Sequence, residues 1–424
     1  MALGVGIIGA GTVGGGVIET LLGNAGVIAE KTGAEVVLKH VADLNVEAFN
    51  AFNLDGVTIG SDANALINDP EVDVVCELIG GEEPARTFIL NALNAKKHVA
   101  TANKMLMALH GEELNKAAID NGVELRYEAA VAGTIPIIKA IRESLASNNI
   151  KGIYGILNGT CNYILTRMSL EGLEFSDVLD QAVALGFAET PPDLDVEGYD
   201  TAHKCQILAS LAYSSPVKFE DIHIEGVTKV THSDVAYAKE MGYQIKLLAV
   251  IRKKDGAIDA RVHPTLIPDK HLLNSVKYEF NAVYIESDIA DATLYYGRGA
   301  GKLPTASAVV SDIVDIATRE GAKPLPPFRY SQTLPVRKIG LLQSRYYLRL
   351  TTEDHPGVLG KICSILGEHK VNIASCLQKE EGENTPAHVI IMTHISQESD
   401  VVAALEAIDQ NDFITEASQV LRVL

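Results

Sequence analysis

Between Glu189 and Lys204 the sequence reads Glu-Thr-Pro-Pro-Asp-Leu-Asp-Val-Glu-Gly-Tyr-Asp-Thr-Ala-His-Lys. Five carboxylates (Glu189, Asp193, Asp195, Glu197 and Asp200) fall within twelve residues and lead into an apolar helical run with Ile207, Leu208 and Leu211. Asp200 and Lys204 are four residues apart and so share one helical face. On a solvated face such a pair is worth only ~0.2–0.5 kcal/mol. Here, however, two prolines and a Gly186-Phe-Ala-Glu189 turn stiffen the approach, which a solvated face does not require. A loop that fixes carboxylates beside a lysine suits recognition of an ammonium group.

A second concentration of chemistry lies at the start of the chain. The apolar stretch 3–8 runs into Gly9-Ala-Gly11-Thr12-Val13-Gly14, and a helical pattern of Val13, Val17, Ile18, Leu21 and Leu22 follows. The glycine spacing alone is weak, because glycine is abundant in this chain. Strand, glycine turn and helix in that order place a pyrophosphate on the helix N-terminus. Asp43 ends the next apolar run and is placed to hold a ribose hydroxyl, whereas Lys39 and His40 beside it suit a 2′-phosphate. NAD and NADP both stay open.

The elements needed to position these residues are legible as patterns. Apolar runs at 3–8, 35–42, 72–79 and 98–101 alternate with helical stretches, which predicts βαβ units and a parallel sheet. We expect a dinucleotide-binding domain over 1–135, completed by a returning helix near 304–320 that a proline opens. Residues 136–303 form an α+β substrate and dimerisation domain, with long helical runs predicted at 198–213 and 235–247. Prolines 324, 326, 327 and 335 mark a linker over 321–345. Residues 346–424 read strand–helix–strand–strand–helix–strand, a ferredoxin-like order, with strands near 346–351, 371–378, 387–394 and 413–423. Such a tail can bury its own core, so a chain cut after about Arg337 is expected to leave a folded, active remainder.

Composition narrows the function classes. A formal charge of −19 disfavours nucleic acid and anionic membrane surfaces. The five cysteines (Cys76, Cys161, Cys205, Cys363 and Cys376) are widely spaced without a CxxC, which argues against a disulfide framework and a structural zinc. The first 30 residues are apolar but hold nine glycines, Glu19 and no Lys or Arg, so neither a secretory signal nor a membrane span is expected. A cytoplasmic location follows as the expectation.

The acidic segment closely resembles the signature of homoserine dehydrogenases, in which a Gly-aromatic-Ala-Glu turn precedes Asp-Val-x-Gly-x-Asp and a lysine. The resemblance covers nearly the whole chain. It includes the Gly9–Gly14 loop, Thr101-Ala-Asn-Lys104, the run from Glu128 to Pro136, Asn158-Gly-Thr160 and the run from Gly299 to Thr305. One departure is Thr190-Pro191, where the family commonly has a residue followed by Asp-Pro. The fold implied is α/β: a Rossmann-type doubly wound domain, an α+β substrate domain and a C-terminal ACT domain signalled by the run from Thr352 to Leu359. The first strand starts at residue 3, so no fused kinase domain is expected ahead of it.

The resemblance implies interconversion of L-homoserine and L-aspartate 4-semialdehyde with NADP or NAD, in threonine and methionine biosynthesis. It implies Lys204 as acid/base, with Lys104 and Asp200 as its catalytic companions, and Glu189 and Asp200 as substrate holders. Gly9, Gly11, Thr12, Val13, Gly14, Thr101, Lys104, Gly186 and Gly301 would line the cofactor. Glu128 and the carbonyls of Val131, Gly133 and Ile135 would ligate a monovalent cation, usually sodium. The tail implies a homo-oligomer, dimer or tetramer, with L-threonine as a reasonable effector or with a purely oligomerising role. Two rivals remain: an acylating aldehyde dehydrogenase using the Cys161 thiolate, and a non-catalytic sensor built from a dinucleotide domain and an amino-acid-binding module.

Overall fold

The computed structural model describes residues 2–187, 191–319, 330–379 and 386–424. Two compact units are each assembled from separate stretches of chain. The first comprises 1–153, 203–219 and 280–334, and the second 154–202, 220–279 and 335–424.

The first unit opens with β1 (Leu3–Ile8), α1 (Thr12–Thr32), β2 (Val36–Ala42), β3 (Thr58–Gly60) and α2 (Ala63–Ile67). It continues through β4 (Val74–Glu77), α3 (Ala85–Asn94), β5 (His98–Thr101), α4 (Lys104–Asn121), β6 (Leu125–Arg126) and the short α5 (Ile137–Lys139). The strands pair in the order β3-β2-β1-β4-β5-β6, all parallel. Every residue of β1 is buried, as a central parallel strand requires. The strand order reverses at β1, and in open α/β sheets ligands bind at that switch point, beyond the carboxyl ends of the strands. By length and composition α1 could cross a membrane; here it is the helix that follows the glycine loop.

The middle of the chain supplies β7 (Ile150–Ile156), α6 (Gly159–Glu171), α7 (Phe175–Ala184), α8 (Asp193–Val196), α9 (Tyr199–Tyr213) and β8 (His223–Ile224). After them come α10 (His232–Glu240), β9 (Tyr243–Lys254), β10 (Ala257–Pro268), the hairpin β11 (Phe280–Ser287) and β12 (Ala292–Arg298), and α11 (Lys302–Thr318). The helix expected over 235–247 is therefore half wrong. It ends at Glu240, Gly242 turns the chain with φ +80°, and Tyr243 begins a strand that pairs antiparallel with β10 along twelve residues. Ile245 and Leu247 to Ile251 are all buried. An unbroken apolar run has no period to tell helix from strand, and only its partner decides.

The tail folds as β13 (Gln343–Thr352), α12 (Val358–Glu368), β14 (Ile373–Gln378), β15 (Ala387–Thr393), the two-residue β16 (Ser396–Gln397), α13 (Glu398–Asp409) and β17 (Ile414–Val423). Its helices bury Val358, Ile362, Val401 and Leu405 against Leu348, Leu350 and Ile391 of the sheet. The tail is not self-contained, however. In the second unit the sheet runs β9-β10-β17-β13-β15-β14, with β17 parallel to β10 through Thr265–Arg422 and Leu266–Val423.

Ion pairs reinforce that seam. Arg349 of β13 donates to Asp234 of α10 at 2.7 Å, and the Tyr347 hydroxyl joins at 3.0 Å. Arg422 donates to Glu225 at 2.6 and 2.8 Å and also pairs with Glu398. The described end of the expected linker is pinned as well, by Ile258 N–H to the Pro335 carbonyl at 2.9 Å and Arg337 N–H to the Ile258 carbonyl at 2.7 Å. A cut after Arg337 thus passes through a continuous sheet, contrary to the expectation of a separable tail.

Candidate active site

At the end of β1 the glycines have distinct tasks. Gly9 turns the chain at φ +99°, and a Cβ on Gly14 would stand 1.8 Å from the Gly9 carbonyl oxygen. Gly11 is exposed, with nothing within 4 Å of where a Cβ would project, so the backbone there is open to close approach. Beyond it, Thr12 and Val13 open α1, which has no side-chain cap and no acidic residue in its first turn. Its positive end is left for an anion. Gly16 serves packing instead, since a Cβ would meet the Lys302 carbonyl at 2.7 Å and Ala306 at 3.0 Å on α11. The cap of α11 is Gly301, at φ +126°.

The 2′ end of a dinucleotide would lie near the end of β2. There Asp43 accepts the Ala10 N–H at 2.5 Å and the Asn45 N–H at 2.7 Å, which ties the glycine loop to β2. Lys39 and His40, read from the sequence as phosphate partners, are engaged elsewhere. Lys39 pairs with Glu71 at 3.1 Å, and buried His40 bonds Asp69 at 2.9 Å.

A third cluster closes the ends of β4 and β5. Buried Glu77 accepts the N–H groups of Ile79 and Gly80 at 2.9 and 3.2 Å and the Thr101 hydroxyl at 2.7 Å. Burial raises its carboxyl pKa, and these hydrogen bonds oppose the rise. Asn103 donates its N–H to Thr101, bonds the Gly81 carbonyl at 2.7 Å and caps α4 through Leu106 N–H at 3.1 Å. Lys104 is the first residue of the helix so fixed. The Thr101 hydroxyl, wholly buried, is spent on this framework, so its side chain positions Lys104.

In the second unit Asn158 organises the acidic segment. Its amide nitrogen donates to Asp195 at 2.7 Å and to Asp200 at 3.0 Å, while its oxygen caps α6 on Cys161 N–H at 2.8 Å. Thr160 bonds the Phe187 carbonyl at 2.5 Å, and the Tyr163 ring packs on Phe187 with centroids 5.0 Å apart. Gly186 ends α7 at φ +73°. Glu189 lies outside the described residues. Asp200 and Lys204, both buried, sit one turn apart on α9.

Cys161 is fully buried, and its thiol donates to the Asp195 carbonyl at 3.2 Å. A buried thiol used as a donor is no acylation nucleophile. We expect Cys161→Ser to keep most of the wild-type turnover, measured by nicotinamide absorbance. Complete loss in a variant with wild-type circular dichroism would restore the acylating rival.

Glu128 accepts the N–H groups of Ile138 and Lys139, both at 2.8 Å, and its own N–H donates to Asp312. Burial pushes its pKa up to about 7 against the pull of those N–H groups, and burial likewise raises Asp312. The following turn is unusual: Ala132 and Gly133 both have positive φ (57° and 55°), and a Cβ on Gly133 would lie 2.6 Å from the Gly299 backbone. The donors that the resemblance implies here, one carboxylate and the carbonyls of Val131, Gly133 and Ile135, are hard oxygens of the kind a hard ion takes. The Ile135 carbonyl already accepts the Ile137 N–H at 2.7 Å, leaving one lone pair.

Sequence reasoning passed over Glu77, Gly16 and Lys246. Lys246 is buried on β9, and it donates at 2.8 Å to both Asn162 and the Val276 carbonyl. Burial holds its pKa down at about 7. It lay inside a run that read as helix, so no periodicity marked it.

Comparison with known proteins agrees with this arrangement. The family profile described as homoserine dehydrogenase matches residues 136–314, that of its NAD binding domain 9–128, and the ACT domain profile 346–413. A homoserine dehydrogenase of Pseudomonas aeruginosa is 45% identical over 96% of this chain and 95% of its own length. That of Neisseria gonorrhoeae is 42% identical over 99% and 98%. The crystal structure of a homoserine dehydrogenase from Thiobacillus denitrificans superimposes with a TM-score of 0.94 at 41% identity, covering 100% of this chain and 98% of that one. A hyperthermophilic archaeal homoserine dehydrogenase in complex with NADPH is 27% identical over 78% of this chain and 100% of its own, with a TM-score of 0.64. The glycine loop, the Asn158-anchored carboxylates and the tail thus occur together in a chain that belongs to the homoserine dehydrogenase family of oxidoreductases.

Proposed function

We propose that this chain interconverts L-homoserine and L-aspartate 4-semialdehyde by hydride exchange with a nicotinamide dinucleotide, in threonine and methionine biosynthesis in the cytoplasm. The observation that carries the reading is the burial of Asp200 and Lys204 one turn apart on α9, with Asn158 holding Asp195 and Asp200. Hydride transfer between an alcohol and an aldehyde requires a proton to move at the oxygen, and the protein must move it. In this reading Lys204 exchanges that proton at the C4 oxygen. Lys104 stands beside nicotinamide and substrate, and Glu189 and Asp200 hold the ammonium end. Gly9 to Gly14 take the pyrophosphate, with Gly186 and Gly301 near the cofactor. Glu128 and the carbonyls of Val131, Gly133 and Ile135 would hold a monovalent cation, Na+, whose charge would offset the burial of Glu128 beside Asp312. The direct test is nicotinamide absorbance with L-homoserine and each cofactor. No reduction with either one would overturn the reading.

The preferred cofactor in this reading is NAD. Lys39 and His40 are paired with Glu71 and Asp69, and the sequence holds no Lys or Arg from 41 to 85. A 2′-phosphate would therefore meet Asp43 without a counter-charge at the end of β2, and uncompensated like charges cost several kcal/mol. We expect kcat/KM for NAD to exceed that for NADP by at least about tenfold, that is ~1.4 kcal/mol. Equal values would show that a 2′-phosphate finds a cation outside the loop after β2.

The tail, in turn, is proposed to bind an amino-acid effector, L-threonine, within a homodimer or homotetramer. Supporting this, a cavity of about 390 Å3 lies over the Asp354-His-Pro-Gly357 turn, lined also by Thr352 and Gln378.

A further inference from the structure

A separate cavity of about 310 Å3 in the second unit has the tail strand β17 as one wall and the acidic segment as another. Its size is at the lower end of the ~300–1,000 Å3 of small-molecule sites. Three features make it more than a packing gap.

The first is its floor. The Val227 N–H donates to the Val196 carbonyl at 2.8 Å. A Cβ on Gly226 would stand 2.3 Å from that carbonyl oxygen and 2.5 Å from the Glu197 Cα. The floor is therefore in tight contact with the peptide units between Asp195 and Asp200, so an occupant that displaces it must displace them.

The second is the wall. Glu225, in the lining, is locked to Arg422 of β17 by two hydrogen bonds and to His223 by a third at 2.6 Å. The tail strand and the floor consequently move as one piece.

The third is the chemistry of the lining. Glu197 is half-buried and engages Thr228 at 3.1 Å through one oxygen. Lys229 is exposed, and among the described residues it has no ion-pair partner. Ser418 and Gln419 add neutral hydrogen-bonding groups, and Ile224 and Val420 an apolar surface. Opposite charges with a short apolar wall complement a small zwitterion.

We propose that this cavity is an effector site for a small α-amino acid, its ammonium on Glu197 and its carboxylate on Lys229, and that filling it changes substrate affinity by shifting the 195–200 segment. The proposal rests on the reading that this segment holds the substrate. It is a site distinct from the cavity over Asp354 to Gly357.

The test uses the full-length protein with L-threonine, L-serine and L-valine as zwitterionic probes, and acetate and butylamine as probes of one charge only. Thermal melting and initial-rate titrations are read in parallel. The expected result is a saturable rise of the melting midpoint with at least one zwitterion and with neither single-charge probe. The KM for homoserine should change by roughly 5-fold or more, the lower end of typical coupling, with kcat nearly constant. Lys229→Glu should keep the basal rate, and both it and Glu197→Gln should weaken the apparent affinity by at least about tenfold. Asp354→Ala should leave that affinity within about twofold.

The proposal is overturned if no zwitterion moves the midpoint. It is equally overturned if Asp354→Ala abolishes the shift while Lys229→Glu and Glu197→Gln leave it intact, which would put the effector over the Asp354 turn. A Lys229-dependent melting shift in a protein that does not oxidise homoserine would sustain the cavity as a binding site and remove the substrate reading instead.

Discussion

Replacing Lys204 by Ala is expected to lower kcat by roughly 100- to 10,000-fold, the usual contribution of a positioned acid/base. Cofactor binding should be nearly unchanged, because the Gly9–Gly14 loop and its tether to Asp43 belong to β1, α1 and β2 and not to α9. The side chain is buried, so the variant also leaves a small void. Circular dichroism and a dinucleotide titration separate that effect from chemistry. The rate should recover in part with a small exogenous amine, which a packing defect would not permit. A folded Lys204→Ala variant that kept more than about half of the wild-type kcat would remove Lys204 from the proton transfer.

Ending the chain at Arg337 should cost most of the stability of what remains. The cut removes β13 and β17, which leaves the β10 edge at Thr265 and Leu266 without its partner strand. Asp234, with no exposed surface, loses Arg349 and the Tyr347 hydroxyl. Glu225, which is half-buried, loses Arg422. Burial alone would raise its pKa, yet hydrogen bonds from His223 and Arg422 hold it well below the usual carboxylate range.

Removing one partner of a buried ion pair costs ~3–5 kcal/mol, against a total stability of ~5–15 kcal/mol. That loss at Asp234, the lesser one at half-buried Glu225 and an open sheet edge should together bring the truncated chain to the threshold of unfolding. We expect it to be insoluble or to melt at least about 10 °C below the full chain, at roughly 2–4 °C per kcal/mol. Arg422→Ala in the full chain should reproduce part of that fall. A soluble truncated protein with a wild-type melting midpoint and full turnover would show that the tail is separable after all.

The sequence alone determined what depends on neighbours a few residues apart. The strand and glycine turn at 3–14, the alternation of strands and helices, the i, i+4 spacing of Asp200 and Lys204 and the strand–helix order of the tail all follow from local periodicity and turn chemistry. The resemblance to homoserine dehydrogenases rested on the same short, ordered motifs.

What the tertiary structure alone decided was the choice of partner. Lys39 and His40 sit beside Asp43 in the chain, but a turn some thirty residues on, at Asp69 and Glu71, takes both side chains. Nothing local marks Asn158 as the residue that gathers Asp195 and Asp200, or Gly226 as the point where the floor of a cavity presses on Val196. The run at 243–254 is a strand because β10 lies against it, and the tail belongs to the second unit because β17 lies on the other side of β10. A charged or apolar side chain has many partners of suitable chemistry in a chain of 424 residues. Which one it meets is settled only when the whole core closes, because satisfying every buried polar group at once is a condition on the entire fold and not on any segment of it.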